Sequence, residues 1–168
     1  MERQLKDDYL NSMYYTDKCL GDFIAKAKGT EWWKNTILVL MADHGHTGPL
    51  HVGNNDRRRY NIPLIFTGGA MSVKDTIVST YGSQLDMVKT LLKQLDVESS
   101  EYTFSKNLLD SEVKGFGFYD FNDGFGYIDE NTYEVWDNTS STWMKQEGKE
   151  TLRGKAFLQM MSTDFHNR

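Results

Sequence analysis

The run Thr36-Ile37-Leu38-Val39-Leu40-Met41-Ala42-Asp43-His44-Gly45-His46 constrains this chain more than any other stretch of it. An apolar segment from Ile37 to Ala42 gives way at once to a carboxylate, an imidazole and a glycine. Such a short apolar run reads as a buried strand, and one that ends in ligand-type side chains delivers them to the rim of a sheet, where α/β proteins place their sites. Successive side chains of an extended chain point to opposite faces, so Asp43 and His44 can converge only if the chain turns directly after the strand. Gly45 is expected to permit that turn. A carboxylate oxygen with an imidazole nitrogen suits Zn²⁺ or Mn²⁺ better than Ca²⁺, which prefers oxygen alone. Two adjacent residues are a short motif, and on the bare pattern Asp43 could equally be a helix cap beside a surface histidine.

Composition narrows the classes. With 168 residues the chain is long enough to bury a core, and the apolar run is far too short to span a bilayer. The net charge of −5 argues against nucleic acid as a partner, because Arg57-Arg58-Arg59 is the only basic cluster. One cysteine, Cys19, excludes an intrachain disulfide and an ordinary thiolate zinc site; it is expected as a buried, inert thiol. The charged start, Met1-Glu2-Arg3-Gln4, is no signal peptide. Either the protein is cytosolic or it is a portion of something longer, and a helix beginning at the first residues favours the portion.

In order, Leu5, Tyr9, Met13, Leu20, Phe23, Ile24 and Ala27 form the stripe of an amphipathic helix from about Arg3 to Lys28, closed by Gly29. Trp32 and Trp33 are expected to pack over the start of the first strand. A polar loop from Thr47 to Asp56 precedes a second buried strand, Ile62 to Thr67, whose Pro63 belongs at an edge or at the first strand position. A short β segment is possible at Thr76 to Val78. Ser83, with Asp86 three residues on, predicts a capped helix that turns Leu85, Val88, Leu91, Leu92 and Leu95 to the core. Three aromatic segments, Phe116 to Phe121, Phe125 to Asp129 and Thr132 to Trp136, are separated by Asn-Asp-Gly and Glu-Asn turns, as in an antiparallel meander. A closing helix is expected from about Lys149 to Met161. The fold class is α/β, divided as 1–110 for the sheet and its flanking helices and 111–168 for the meander and terminal helix.

Taken together, Thr36 to Gly45, the polar loop, Arg59-Tyr60-Asn61-Ile62-Pro63-Leu64-Ile65-Phe66 and Gly82-Ser83-Gln84-Leu85-Asp86-Met87-Val88-Lys89-Thr90-Leu91-Leu92 resemble the C-terminal part of the sulfatase and lipoteichoic acid synthase branch of the alkaline phosphatase superfamily. Tyr15-Thr16-Asp17-Lys18-Cys19-Leu20-Gly21-Asp22-Phe23-Ile24 resembles the helix before the metal strand of that family. The resemblance covers roughly residues 9 to 110, and the later meander is similar to the small C-terminal subdomain of those enzymes. It implies an alkaline-phosphatase-like sheet, Asp43 and His44 as ligands of a catalytic divalent metal, an anionic sulfate or phosphate ester as substrate, and a membrane-anchored extracytoplasmic or periplasmic parent.

The resemblance also implies a threonine or cysteine-derived nucleophile and a further acidic ligand on segments well before the Asp-His strand. Only 42 residues precede Asp43 here, and they are taken up by one helix and a loop. No catalytic nucleophile is assigned; Thr47 is near in sequence but has no base. The expectation is a metal-dependent hydrolase or phosphoglycerol transferase portion, inactive alone and prone to self-association. His46, His51 and Arg57 are candidates for contact with the anionic substrate. The competing reading is a non-catalytic domain whose aromatic meander binds a glycan or a protein, with Asp43 and His44 incidental.

Overall fold

A computed structural model describes residues 2–46, 51–73 and 75–168, with side chains from Asp7 onward, so Leu5 lies outside the described side chains and Thr47 outside the described residues. The chain forms two compact units, 1–75 and 76–168, and the 110/111 division expected from sequence falls inside the second.

In the first unit, helix α1 spans Glu2–Lys28. A short 3-10 turn, Glu31–Asn35, leads into strand β1, Leu38–Met41, which pairs antiparallel with β2, Leu64–Thr67. Pro63 immediately precedes β2, the position at which a missing N–H is tolerated. The two strands make a sheet of their own, with Leu38 opposite Thr67 and Met41 opposite Leu64. Neither strand is fully buried, contrary to the expectation from their apolar runs; Ile65 is 51% exposed. A two-stranded ribbon has two open edges and too little area to enclose its own side chains. Cys19 is likewise exposed rather than buried, because α1 turns most of its surface outward and only Ala27 on it is fully covered among the described side chains. Trp32 and Trp33 meet edge to face, 6.3 Å between centroids, and the Trp33 carbonyl accepts the N–H of Gly69 beyond β2.

The second unit opens without the possible strand at Thr76 to Val78: the segment is irregular and Ile77 is 96% exposed. Helix α2 is Asp86–Gln94 and starts three residues after Ser83. Half of the expected capping exchange is present, since the Ser83 N–H donates to Asp86 Oδ2 at 2.8 Å. The carboxylate of Asp86 is also held by the N–H of Lys106 at 2.8 Å and its Nζ at 3.0 Å, which anchors the 99–109 segment against the helix. Leu85 and Leu95, expected in the core, are exposed, because they lie at the two ends of this short helix.

Four strands, not three, form the meander: β3 Gly117–Phe121, β4 Gly124–Ile128, β5 Thr132–Asp137 and β6 Thr142–Gly148, in that order and antiparallel throughout. Asp123 takes φ 63° in the tight turn between β3 and β4, as its Asp-Gly sequence suggested. Helix α3, Arg153–His166, packs on β4. Its Gly154 is required there: a Cβ at that position would stand 2.8 Å from Phe125 Cε2 and 2.9 Å from Tyr127 Cβ. Phe157 of α3 meets Phe104, Phe116 and Phe118, so the aromatic residues of the meander are consumed by its own core.

Candidate metal centre

The hydrogen-bonded pairing of β1 and β2 ends at Met41 and Leu64, and the chain bends at Asp43 and His44. No helix begins there; Asp43 Oδ1 instead accepts the N–H of the adjacent His44 at 2.9 Å. That turn brings the two side chains to the same side, with His44 Nε2 3.6 Å from Asp43 Oδ2. The other ring nitrogen of His44, Nδ1, lies 2.7 Å from the carbonyl oxygen of Gly45. A carbonyl can only accept, so this contact calls for a proton on Nδ1, and in the neutral ring it leaves Nε2, the nitrogen that faces the carboxylate, as the atom able to bind a metal.

This donor set fits a divalent ion. Two donors about 2.1 Å from one ion at a tetrahedral angle stand about 3.4 Å apart, close to the separation observed here. Both side chains are open to solvent, 89% for Asp43 and 73% for His44. A shell needs more than two ligands, and among the described residues no cluster of three or more His, Cys, Asp or Glu is positioned to supply one.

Gly45 proves necessary for a reason other than chain reversal. A Cβ on it would fall 1.7 Å from the carbonyl oxygen of Arg59, 2.7 Å from its carbonyl carbon and 3.2 Å from Tyr60 Cα. The segment after β1 therefore lies directly against the backbone of the 3-10 turn Arg57–Arg59. Asp56 caps that turn, accepting the N–H of Arg58 at 2.9 Å and its Nε at 3.0 Å. Arg57 is thus carried, exposed, on the turn that abuts the Asp43–His46 segment. His46 does not stand alone beside the pair; its ring stacks on Tyr9 of α1 at 4.8 Å and 14° between planes. His51 is exposed with φ 49°, and no described contact joins it to Asp43 or His44. Sequence reasoning placed Tyr9 in the core stripe of α1 and read Arg59 only as part of the basic cluster; pattern gives no sign of a contact 37 positions away, or of a backbone carbonyl that only a glycine can approach. No helix among the described residues is long and apolar enough to cross a membrane.

Comparison with known proteins places the chain in a family. The Sulfatase family model matches residues 2–97, which include Asp43 and His44. Phosphoglycerol transferase I of Xanthomonas axonopodis pv. citri (strain 306) is 28% identical over 105 residues, 62% of this chain and 15% of that protein. The multifunctional alkaline phosphatase superfamily protein PehA of Trinickia caryophylli is 26% identical over 119 residues, 67% of this chain and 23% of that protein. The chain therefore spans less than a quarter of the length of either relative. In three dimensions it is similar to a crystal structure of a protein in the alkaline phosphatase superfamily from Vibrio parahaemolyticus, with a TM-score of 0.72 and 23% identity over 91% of this chain and 40% of that one. With the family model covering more than half of it, the chain belongs to the sulfatase family and has the alkaline-phosphatase-superfamily fold.

Proposed function

We propose that this chain carries one side of the metal site of a sulfuric or phosphoric ester hydrolase or a phosphoglycerol transferase, with Asp43 and His44 as the ligands. The observation that carries the reading is the 3.6 Å approach of His44 Nε2 to Asp43 Oδ2, with Nδ1 turned to the Gly45 carbonyl. Similarity to phosphoglycerol transferase I and to PehA supports the reaction class. Mn²⁺ or Zn²⁺ suits the mixed oxygen and nitrogen donors better than Ca²⁺. When bound, such an ion stabilises negative charge on an ester oxyanion and on an attacking oxygen.

The chain's own residues contribute in separate ways. Asp43 supplies a carboxylate on the bend two residues beyond β1. His44 is oriented by the Gly45 carbonyl, which accepts from Nδ1 and turns Nε2 to the position shared with Asp43. Arg57 sets a permanent cation on the adjoining turn, and His46 and His51 lie on or beside the same loop, a composition suited to an anionic ester. No residue of this chain is assigned as nucleophile, and two ligands leave the shell open. We therefore infer weak metal affinity and no turnover by this chain alone. Leu10, Met13, Tyr14, Tyr15 and Phe23 stand exposed along α1, which supports self-association of the isolated chain. The complete protein, on this reading, works outside the cytoplasm.

The competing glycan-binding reading has less to stand on. Phe125, Tyr127 and Tyr133 are at most 5% exposed, and the Trp136 ring is covered by Lys155 Nζ, 3.2 Å from its centroid. A sugar platform needs open aromatic faces, and these are occupied.

Calorimetric titration with Mn²⁺ and with Zn²⁺ tests the metal reading. Wild type should show weak saturable heats that disappear in Asp43→Ala and in His44→Ala. Heats indistinguishable between wild type and both variants would remove Asp43 and His44 from the ligand set.

A further inference from the structure

The exit of the chain from the ligand pair is held at two points. Gly45 lies against the Arg59 backbone, and the next residue, His46, lies flat against Tyr9. The second contact is the more unusual one. Tyr9 sits on an otherwise open part of α1, where Asp7, Asp8, Leu10 and Asn11 are all exposed, yet Tyr9 itself is half-buried. Its partner is 37 residues away, only two beyond His44.

We propose that Tyr9 is a positioning residue for the metal loop: by stacking on His46 it fixes the path of residues 43–46 and so the convergence of Asp43 with His44. This rests on the metal reading for its consequence, though not for its geometry. A ligand pair on an exposed bend binds an ion only after its backbone has been ordered, and ordering each residue costs conformational entropy. A ring held 4.8 Å from Tyr9 settles part of that ordering before the ion arrives. A phenylalanine would stack as well, because the contact is between ring faces and no hydrogen bond of the Tyr9 hydroxyl is needed. An aliphatic side chain would keep α1 helical and lose the stack.

The test compares wild type, Tyr9→Phe and Tyr9→Leu. In the metal-free protein, ring currents from Tyr9 should displace the His46 ring protons upfield in wild type and Tyr9→Phe, with the displacement lost in Tyr9→Leu. Amides of residues 43–46 should exchange with solvent faster in Tyr9→Leu alone, while circular dichroism shows α1 intact. In Mn²⁺ titrations the affinity should fall about two- to tenfold in Tyr9→Leu, the range expected of one aromatic pair, and stay at the wild-type value in Tyr9→Phe. Undisplaced His46 protons in wild type, or loop exchange and Mn²⁺ affinity equal in all three proteins, would overturn the proposal. If wild type binds no Mn²⁺, the metal reading fails by itself; the His46 shifts and amide exchange then decide whether Tyr9 orders the loop.

Discussion

Gly45→Ala is the sharpest probe of how the ligand loop is built. The added methyl would sit 1.7 Å from the Arg59 carbonyl oxygen, so about 1.5 Å of displacement or more is needed to regain ordinary contact. The obstacle is backbone, not the movable end of a side chain. Nor is that backbone free to retreat: the Arg59 N–H donates to the Asp56 carbonyl at 3.1 Å, the Tyr60 N–H to that of Arg57 at 3.1 Å, and Asp56 clamps Arg58 from within the turn. On the other side the loop is continuous with β1, which is tied to β2. Overpacking of this kind costs about 1–3 kcal/mol. Hydrogen exchange at the amides of Leu38–Met41 reads that loss in the first unit alone, and protection there should fall roughly five- to 150-fold. Mn²⁺ affinity should fall with it, because a loop moved by more than 1 Å no longer sets both donors on one ion. Wild-type protection together with wild-type affinity in Gly45→Ala would refute the packing argument and, with it, the preformed ligand pair.

Two further outcomes concern the second unit. Lys106→Met should destabilise it by about 3–5 kcal/mol, read as a lower urea midpoint, because the Asp86 carboxylate is fully buried and would lose the ammonium that contacts both its oxygens at 3.0 Å. The same burial holds the Lys106 pKa below the ordinary lysine value, with Asp86 opposing the shift, so the pair is a cost of the fold that is tolerable only when both members are present. Asp129 gives the acid response: burial favours its neutral form, but the Asn131 N–H, the Tyr127 hydroxyl and the Arg153 guanidinium outweigh it and hold the carboxyl below its usual range. The unfolded chain therefore takes up this proton first, and the stabilisation, complete above the ordinary carboxylate pKa, is lost as pH falls through the lower folded value. Arg153→Ala should shift the acid-unfolding midpoint of this unit upward, and an unchanged midpoint would show that the ion pair contributes nothing to it.

What could be read from sequence was whatever depended on local pattern. The extent of α1, the place of Pro63 before β2, the Asp-Gly turn and the bend at Asp43 each follow from a few neighbouring residues, whereas Met13 and Phe23 of the expected α1 stripe are exposed. What failed depended on pairing across the chain. Strand β6 reads Thr-Trp-Met-Lys-Gln-Glu-Gly, rich in helix formers, and is a strand because β5 offers it a hydrogen-bonding edge, with a bulge at Val135 and Trp136. Helix α3 starts at Arg153 and not near Lys149 because the preceding residues are tied to the sheet: the Lys149 N–H donates to the Asn131 carbonyl at 3.1 Å and the Thr151 N–H to buried Glu134 at 2.8 Å. At the site, Asp43 and His44 were legible as ligand types next to one another, but the elements that hold them were not.

That division has a chemical consequence. Two ligands adjacent in sequence can approach one ion only through the local turn, so their identity says which metals are acceptable and little about how well the position is defined. Definition comes from Arg59, pressed on Gly45, and from Tyr9, stacked on His46, neither of which contributes a donor atom. Loss of a ligand removes a bond to the ion, whereas loss of a restraint leaves every donor in place and raises the entropy that binding must overcome. The two classes of variant should therefore be separable in the apo protein, where a missing carboxylate leaves the loop as ordered as before and a missing restraint does not. On the proposed reading, an open shell of two exposed donors should bind an ion weakly even when their geometry is correct.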